Sequence, residues 1–356
     1  MLAIIRQEWK GHLKNPLFYL GIILVGWTMY SSLQGYLFTY LDEDMQIEEK
    51  SPYEADVMDG YIPYTEEEIQ KHYDEEFESL KRELTNVYFG YSESEAEEIV
   101  TYLKESGMTI KEMGEYMEEK YDFPNAELGF IPPDTKKVTV AEANEYMKQA
   151  LDEHTFTYYF SLKYADLLTV EMLIFCIVLF VFSFMFESKQ DIYELLHTKP
   201  LKSGAYVWGK VLGNMSVAVF VIIVITAVMN ICVVQHCIKE NLPYSIWDMW
   251  MRLGLFLLPS LFVIIATYFF VSVLFKNAIP AVPVLILYMI YSNMGRVEAD
   301  GSFSYHLRPL SLCIRCPEVF FENTIYDAMF INQAAIILLG IVLCLVANKI
   351  WNRRRV

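Results

Sequence analysis

Few residue patterns in this chain have the types and spacing to do chemistry. Gly204-Ala-Tyr-Val-Trp-Gly209-Lys210 matches the first seven positions of a phosphate-binding loop. The eighth position must be Ser or Thr to hold magnesium, and Val211 stands there. No apolar strand precedes the run and a long apolar segment comes after it, so no nucleotide site is expected on this chain. Cys313-Ile-Arg-Cys316, with His306 nearby, has a spacing known from metal and redox sites. A second pair is missing, so no metal is expected. In an oxidising compartment a disulfide from Cys237 to Cys313 or Cys316 is open; free thiols are the alternative. Cys176 and Cys344 lie within apolar runs and read as small packing residues. There is no His-Glu-x-x-His, no Gly-x-Ser-x-Gly and no serine or cysteine triad pattern. What remains is a set of polar residues inside apolar runs, chiefly Glu171, Asn214, Asn230 and Asn293. Such groups are costly in hydrocarbon, so they are candidates to line a translocation path. The alternative is helix-to-helix bonding or, for Glu171, a place at headgroup level.

The elements that must hold these residues are six apolar runs. They lie near Leu17–Phe38, Leu167–Phe186, Val207–Val234, Trp250–Phe275, Ala278–Met294 and Ala328–Ala347. Most approach the ~20 apolar residues a helix needs to cross a bilayer. In lipid every backbone N–H and C=O requires an internal partner, so runs of this kind must be helices. The fold class expected is an all-α polytopic membrane protein with six transmembrane helices and a helical extracellular insert. The first run is too long for the apolar core of a signal peptide and lacks a small-residue cleavage site.

Charge orients the chain. With the N-terminus inside, Arg6, Lys10, Lys14, Lys189, Lys199, Lys202, Lys210, Lys276, Lys349, Arg353, Arg354 and Arg355 face the cytoplasm. Only Lys239, Arg252, Arg296, Arg308 and Arg315 fall in the short outer loops, as the positive-inside bias requires. Both termini are then cytoplasmic and the segment 41–165 is extracellular. That insert holds 32 Asp and Glu against 11 Lys and Arg, a net of −21, whereas the rest of the chain is +4. Such a surface keeps a domain soluble, and it also offers a landing site for a cationic ligand. The insert repeats one helix-start signal four times: Thr65…Glu68, Ser92…Glu95, Thr109…Glu112 and Thr139…Glu142. Apolar residues succeed each at helical spacing, as in Ile69, Tyr73, Phe77, Leu80 and Leu84.

Two inner segments narrow the class. Residues 1–15 read as an amphipathic interface helix, with Leu2, Ile5, Trp9 and Leu13 apolar and Arg6, Lys10 and Lys14 basic. Residues 187–200 read as a short polar helix stopped by Pro200. Here the sequence resembles the type-2 ABC exporter permeases, through Glu187, Glu194-Leu195, Pro200 and Gly209-Lys210. Asp191-Ile192 and Lys202-Ser203 stand where that family often has Gly-Thr and Ser-Arg. The resemblance implies no catalytic residue on this chain and no cofactor of its own, with ATP and magnesium on a partner ATPase subunit. It implies a second permease chain, a lipid bilayer as surroundings, and no nucleic acid. Glu187, Asp191, Glu194, Leu195, Leu196, Pro200, Arg6, Trp9 and Lys10 would then form the surface coupled to the ATPase. The implied layout is an interface helix at 1–15, a first span at 16–40, the insert at 41–165 and five spans over 166–349. A re-entrant helical hairpin is implied at 296–327 and a basic tail at 350–356. The cargo would be a lipid, a peptide or a hydrophobic compound. The other reading is a membrane sensor or immunity component whose ectodomain binds a ligand without transport.

Overall fold

The computed structural model describes residues 1–38, 40–51, 55–132, 135–187, 202–297, 303–316, 319–322 and 324–353. In chain order the helices are α1 (Leu2–Leu13), α2 (Pro16–Leu33), α3 (Glu66–Leu84), α4 (Glu93–Ser106), α5 (Ile110–Tyr121) and α6 (Val140–Glu153). They continue with α7 (Phe156–Glu187), α8 (Ser203–Lys239), α9 (Asp248–Phe275), α10 (Ala281–Asn293) and α11 (Asp327–Arg353). Two short antiparallel pairs join β1 (Tyr61–Pro63) to β2 (Thr135–Lys137) and β3 (Arg296–Val297) to β4 (Phe303–Ser304). The chain is a predominantly all-α polytopic membrane protein. It divides into two units, one of Met1–Thr39, Gln149–Met294 and Leu307–Val356, the other of Tyr40–Lys148 and Gly295–His306.

In the first unit α9 sits at the centre. Leu257, Leu261, Val263, Ile264, Ile265 and Ala266 expose no surface, as befits a helix that is apolar all round. Pro259 is accommodated within this unbroken helix. It packs chiefly against α7 and α11. At Gly340 of α11 a Cβ would lie 2.5 Å from the Phe262 ring, so only glycine allows that approach. By contrast α2 turns Leu20, Ile23, Leu24 and Trp27 outward. It opens on Asn15, whose side chain accepts from the Leu17 N–H, with Pro16 at the first helical position.

Five helices among the described residues are long and apolar enough to cross a membrane, not six: Pro16–Tyr36, Phe156–Met185, Ser203–Lys239, Asp248–Phe275 and Asp327–Arg353. The fifth apolar run forms only the 13-residue α10. At 1.5 Å per residue it spans about 20 Å, short of a ~30 Å hydrocarbon core. The connection after it also departs from expectation. Its described residues hold the β3–β4 pair and irregular backbone rather than a helical hairpin. Pro309 and the left-handed Leu310 (φ 59°) interrupt any helix there. Ser311–Ile314 and Cys316 are nonetheless buried, so their backbone groups need partners. Asn332 bonds both Ser311 N–H (3.0 Å) and Ser311 C=O (2.8 Å). Ser292 Oγ accepts from Leu312 N–H at 2.9 Å, and Ser260 Oγ donates to Leu312 C=O at 2.6 Å. Lys163 Nζ donates to Cys316 C=O at 2.8 Å.

The second unit is built on the four repeated start signals. Thr65, Ser92 and Thr109 each cap their helix while the glutamate three residues on bonds back, and Thr139 and Glu142 exchange the same bonds. Gly107, at φ 65°, ends α4 in the left-handed conformation that glycine adopts without strain. The apolar stripes of α3, α4 and α5 converge in one core that includes Leu80, Leu84, Ile99, Leu103, Met113 and Met117, with Phe123 and Phe130 from the adjoining turns.

Candidate functional site

The densest polar constellation in the first unit lies where α1 crosses the beginning of α8. Gly209 and Gly213 are one helical turn apart and leave a shallow seam on α8. A Cβ at Gly213 would lie 2.7 Å from Glu8 Cγ and 3.3 Å from Ile5 Cα, and one at Gly209 would lie 3.1 Å from Ile4 Cβ. The close approach brings Glu8 onto Lys210. Lys210 Nζ donates to Glu8 Oε1 at 2.8 Å, and the two side chains are only 1% and 4% exposed. Glu8 Oε2 accepts from Ser183 Oγ (2.7 Å) and from Asn214 Nδ2 (3.1 Å), so the carboxylate is bonded on both oxygens. The Lys210 ammonium also stands 4.8 Å from the Phe184 ring centroid. His12 Nε2 meets Asn214 Oδ1 at 2.8 Å, which requires the proton on Nε2. Burial lowers the His12 pKa, against smaller opposing effects of Asn214 and Glu8 and with Lys210 adding to the fall. Trp9 Nε1 donates to Ser216 Oγ at 2.8 Å and its ring meets Phe220 edge-on. A cavity of about 460 Å³ opens beside this network, lined by Gln7, Lys10, Lys14 and Phe182.

The buried face of α1 thus differs from the apolar stripe read from its sequence. Leu2 and Leu13 are exposed, while Glu8 and His12 are buried. The interior supplies Lys210 and Asn214 as their partners. The signal was a Glu and a His at i and i+4 on one face, answered by the first lysine of α8. The run Gly204–Lys210 is helical throughout, so its lysine serves this ion pair and not a phosphate loop.

The other residues singled out in the sequence are scattered. Arg6 and Lys10 are exposed on α1, and Trp9 packs on α8. Glu187 ends α7. Asp191, Glu194, Leu195, Leu196 and Pro200 lie outside the described residues. Asn214 belongs to the Glu8–Lys210 network. Asn230 Nδ2 donates to Ile246 C=O at 2.9 Å, tying α8 to the start of α9. Asn293 accepts from Arg315 Nη1 at 2.8 Å, and Arg315 Nε also donates to Asp166. The second Asp166 oxygen accepts from Cys316 N–H at 2.9 Å. This cluster, missed in the sequence, pins the connection after α10 onto α7. Glu171 lines a groove between α2 and α7.

No disulfide joins Cys237 to Cys313 or Cys316. Cys313 Sγ instead accepts from Asn293 Nδ2 at 3.4 Å, and the Cys316 backbone is held by Asp166 and Lys163. No cluster of three or more His, Cys, Asp or Glu able to hold a metal occurs among the described residues.

In these features an N-terminal helix is keyed to one long apolar helix, and a buried connection to a second. No curated protein and no solved structure matches this chain. A family model described as ABC-2 family transporter protein matches residues 17–347, nearly the whole length, and the chain belongs to that family as a permease component.

Proposed function

We propose that the chain is the permease subunit of an ATP-driven exporter that moves a lipid, peptide or hydrophobic compound outward. ATP and magnesium are bound by ATPase subunits on separate chains, and two permease chains form the path. The N-terminus and the 187–200 segment face the cytoplasm, and the acidic insert faces outward. The observation that carries this reading is the lock between α1 and α8, formed by Glu8, Lys210 and the Gly209–Gly213 seam. A helix held by a buried, fully bonded ion pair moves with the span it grips. Force applied to the exposed Arg6 and Lys10 side of α1 is therefore delivered to α8. The segment 187–200 supplies the other contact, with Leu195 and Leu196 as apolar anchors and Glu187, Asp191 and Glu194 aimed at basic groups of the ATPase.

The deciding experiment is copurification in detergent: a soluble ATPase is expected to elute with this chain. Truncating Leu195 and Leu196 to Ala should weaken docking by a few kcal/mol, with ~1.5–3 kcal/mol per fully buried Leu as the ceiling. Glu194→Lys should leave the spans folded and uncouple ATP hydrolysis from cargo movement. Wild-type docking and coupling in both variants would refute the assignment of this surface.

A further inference from the structure

We infer that the groove between α2 and α7 recognises a cationic amphiphile, with Glu171 as the counter-ion of its basic group. Glu171 is the sixteenth residue of the 32-residue α7 and the fifth of the apolar run Leu167–Phe186, so its carboxyl sits about one turn inside that run. Among the described residues it has neither a hydrogen-bond nor an ion-pair partner. The contrast with Asp166, five residues earlier on the same helix, is informative. Asp166 is bonded by Arg315 and by the Cys316 N–H. An ionisable side chain inside an apolar run, lining an apolar groove without a protein partner, marks a place where a partner arrives from elsewhere.

The surroundings define that partner. The groove holds about 190 Å³ and is otherwise apolar, with Leu17, Leu20, Leu24, Phe175 and Val178 around the carboxyl. Its floor is the contact of α2 with α7 at Gly21, where a Cβ would fall 2.1 Å from the Phe175 ring. Its walls are open at the side: Leu20 and Leu24 on α2, and Ile174 and Val178 on α7, are each about half exposed. A slender apolar chain can therefore enter from the bilayer. A neutral ligand would leave the carboxylate unpaired within the groove, and an anion would be repelled. A basic group on an apolar tail satisfies both features. The insert carries the same sign of charge, −21 over 41–165, and so attracts the same class of molecule.

The inference depends on the export reading only for the transport step, since recognition itself needs no ATPase. The test uses the full chain in nanodiscs of zwitterionic lipid and two photoreactive probes: a diazirine-bearing alkyl trimethylammonium and the matched alkyl sulfate. The ammonium should label α2 and α7 peptides at the groove at least tenfold more than the sulfate. Glu171→Gln should reduce that labelling about tenfold, and Glu171→Asp should retain most of it. Equal labelling by both probes in the wild-type chain overturns the proposal without any variant. So does unchanged labelling in Glu171→Gln, or loss of a permease dimer as its main effect, which would make the partner a second copy of this chain. Groove labelling that persists where no ATPase copurifies rejects the export reading and leaves the site standing.

Discussion

At the scale of single residues, the fate of Glu8 shows what burial does to a charge. An ion pair out of water gains little over an apolar pair of the same size, but removing one partner strands the other. Glu8→Ala should therefore cost roughly 3–5 kcal/mol, because Lys210 stays buried at 1% exposure without its main counter-ion. Glu8→Met combined with Lys210→Met should recover most of that loss. Thermal unfolding of the purified chain in detergent checks this, and a double variant as unstable as Glu8→Ala alone would show that the pair is not the lock. His12 adds a pH dependence. Its folded-state pKa is lowered from 6.5, chiefly by burial, so the neutral form is the one the fold prefers. The stability it contributes is present above pH 6.5 and is lost as the pH falls through the lowered value. The stability difference between wild type and His12→Gln should thus be widest above pH 6.5 and shrink in acid. A difference independent of pH would contradict it. This site was half legible in the sequence. Gly209-Lys210 stood out as a motif, but the lysine's partner lies 202 residues away on α1, and pairing at that distance leaves no periodic trace.

At the scale of elements, periodicity and capping were read well, because both are local. The four capping signals sit where four helices begin, and the stripes behind the first three form one core. Where tertiary contacts decide, the structure differs from the sequence pattern. An apolar run near Ala278–Met294 looks like a span, yet helix forms over only 13 residues. Its end is taken up by hydrogen bonds to the buried connection, as when Tyr288 Oη donates to Leu310 C=O at 2.6 Å. The caps yield a prediction for the insert. Replacing Thr109 by Ala should cost α5 about 1 kcal/mol, seen as lost helical circular dichroism in the segment 40–148. Glu112 and Glu142 are held below the usual carboxylate pKa by the Thr109 and Thr139 backbone N–H groups. The Ser92 hydroxyl and N–H do the same for Glu95, and Lys136 with the Thr65 N–H for Glu68. A depressed acid stabilises the fold above its unfolded value of about 4.5, and that support disappears as the pH drops through the lower folded value. Helix content should hold from neutral pH to about 4.5 and decline below it. Full helicity retained well below that range would mean the bonds of the caps do not matter.

At the scale of the whole molecule, one physical asymmetry orders everything else. The insert is −21 and the remainder +4, and within the remainder Arg6, Lys10, Lys14, Lys202 and Lys210 gather on α1 and at the start of α8. Translocating a segment with 32 carboxylate side chains is compatible with the positive-inside bias, since acidic residues contribute little to orientation and Lys and Arg dominate it. The lock between α1 and α8 fits the same orientation, because it holds α1, which carries Arg6, Lys10 and Lys14, against the first turns of α8. Inversion would put all of these on the outer side and leave the acidic insert in the cytoplasm, removing the surface on which an ATPase could act. Impermeant thiol labelling of intact cells separates the two. In a background with the exposed Cys232 replaced by Ser, a cysteine at position 95 should be labelled and one at position 202 should not. The reverse pattern would invert the topology, and with it both the coupling surface and the direction in which cargo moves. Labelling at both would mean that the spans are not sealed around their polar seams, and the buried Glu8–Lys210 and Asp166–Arg315 clusters would then be open to water.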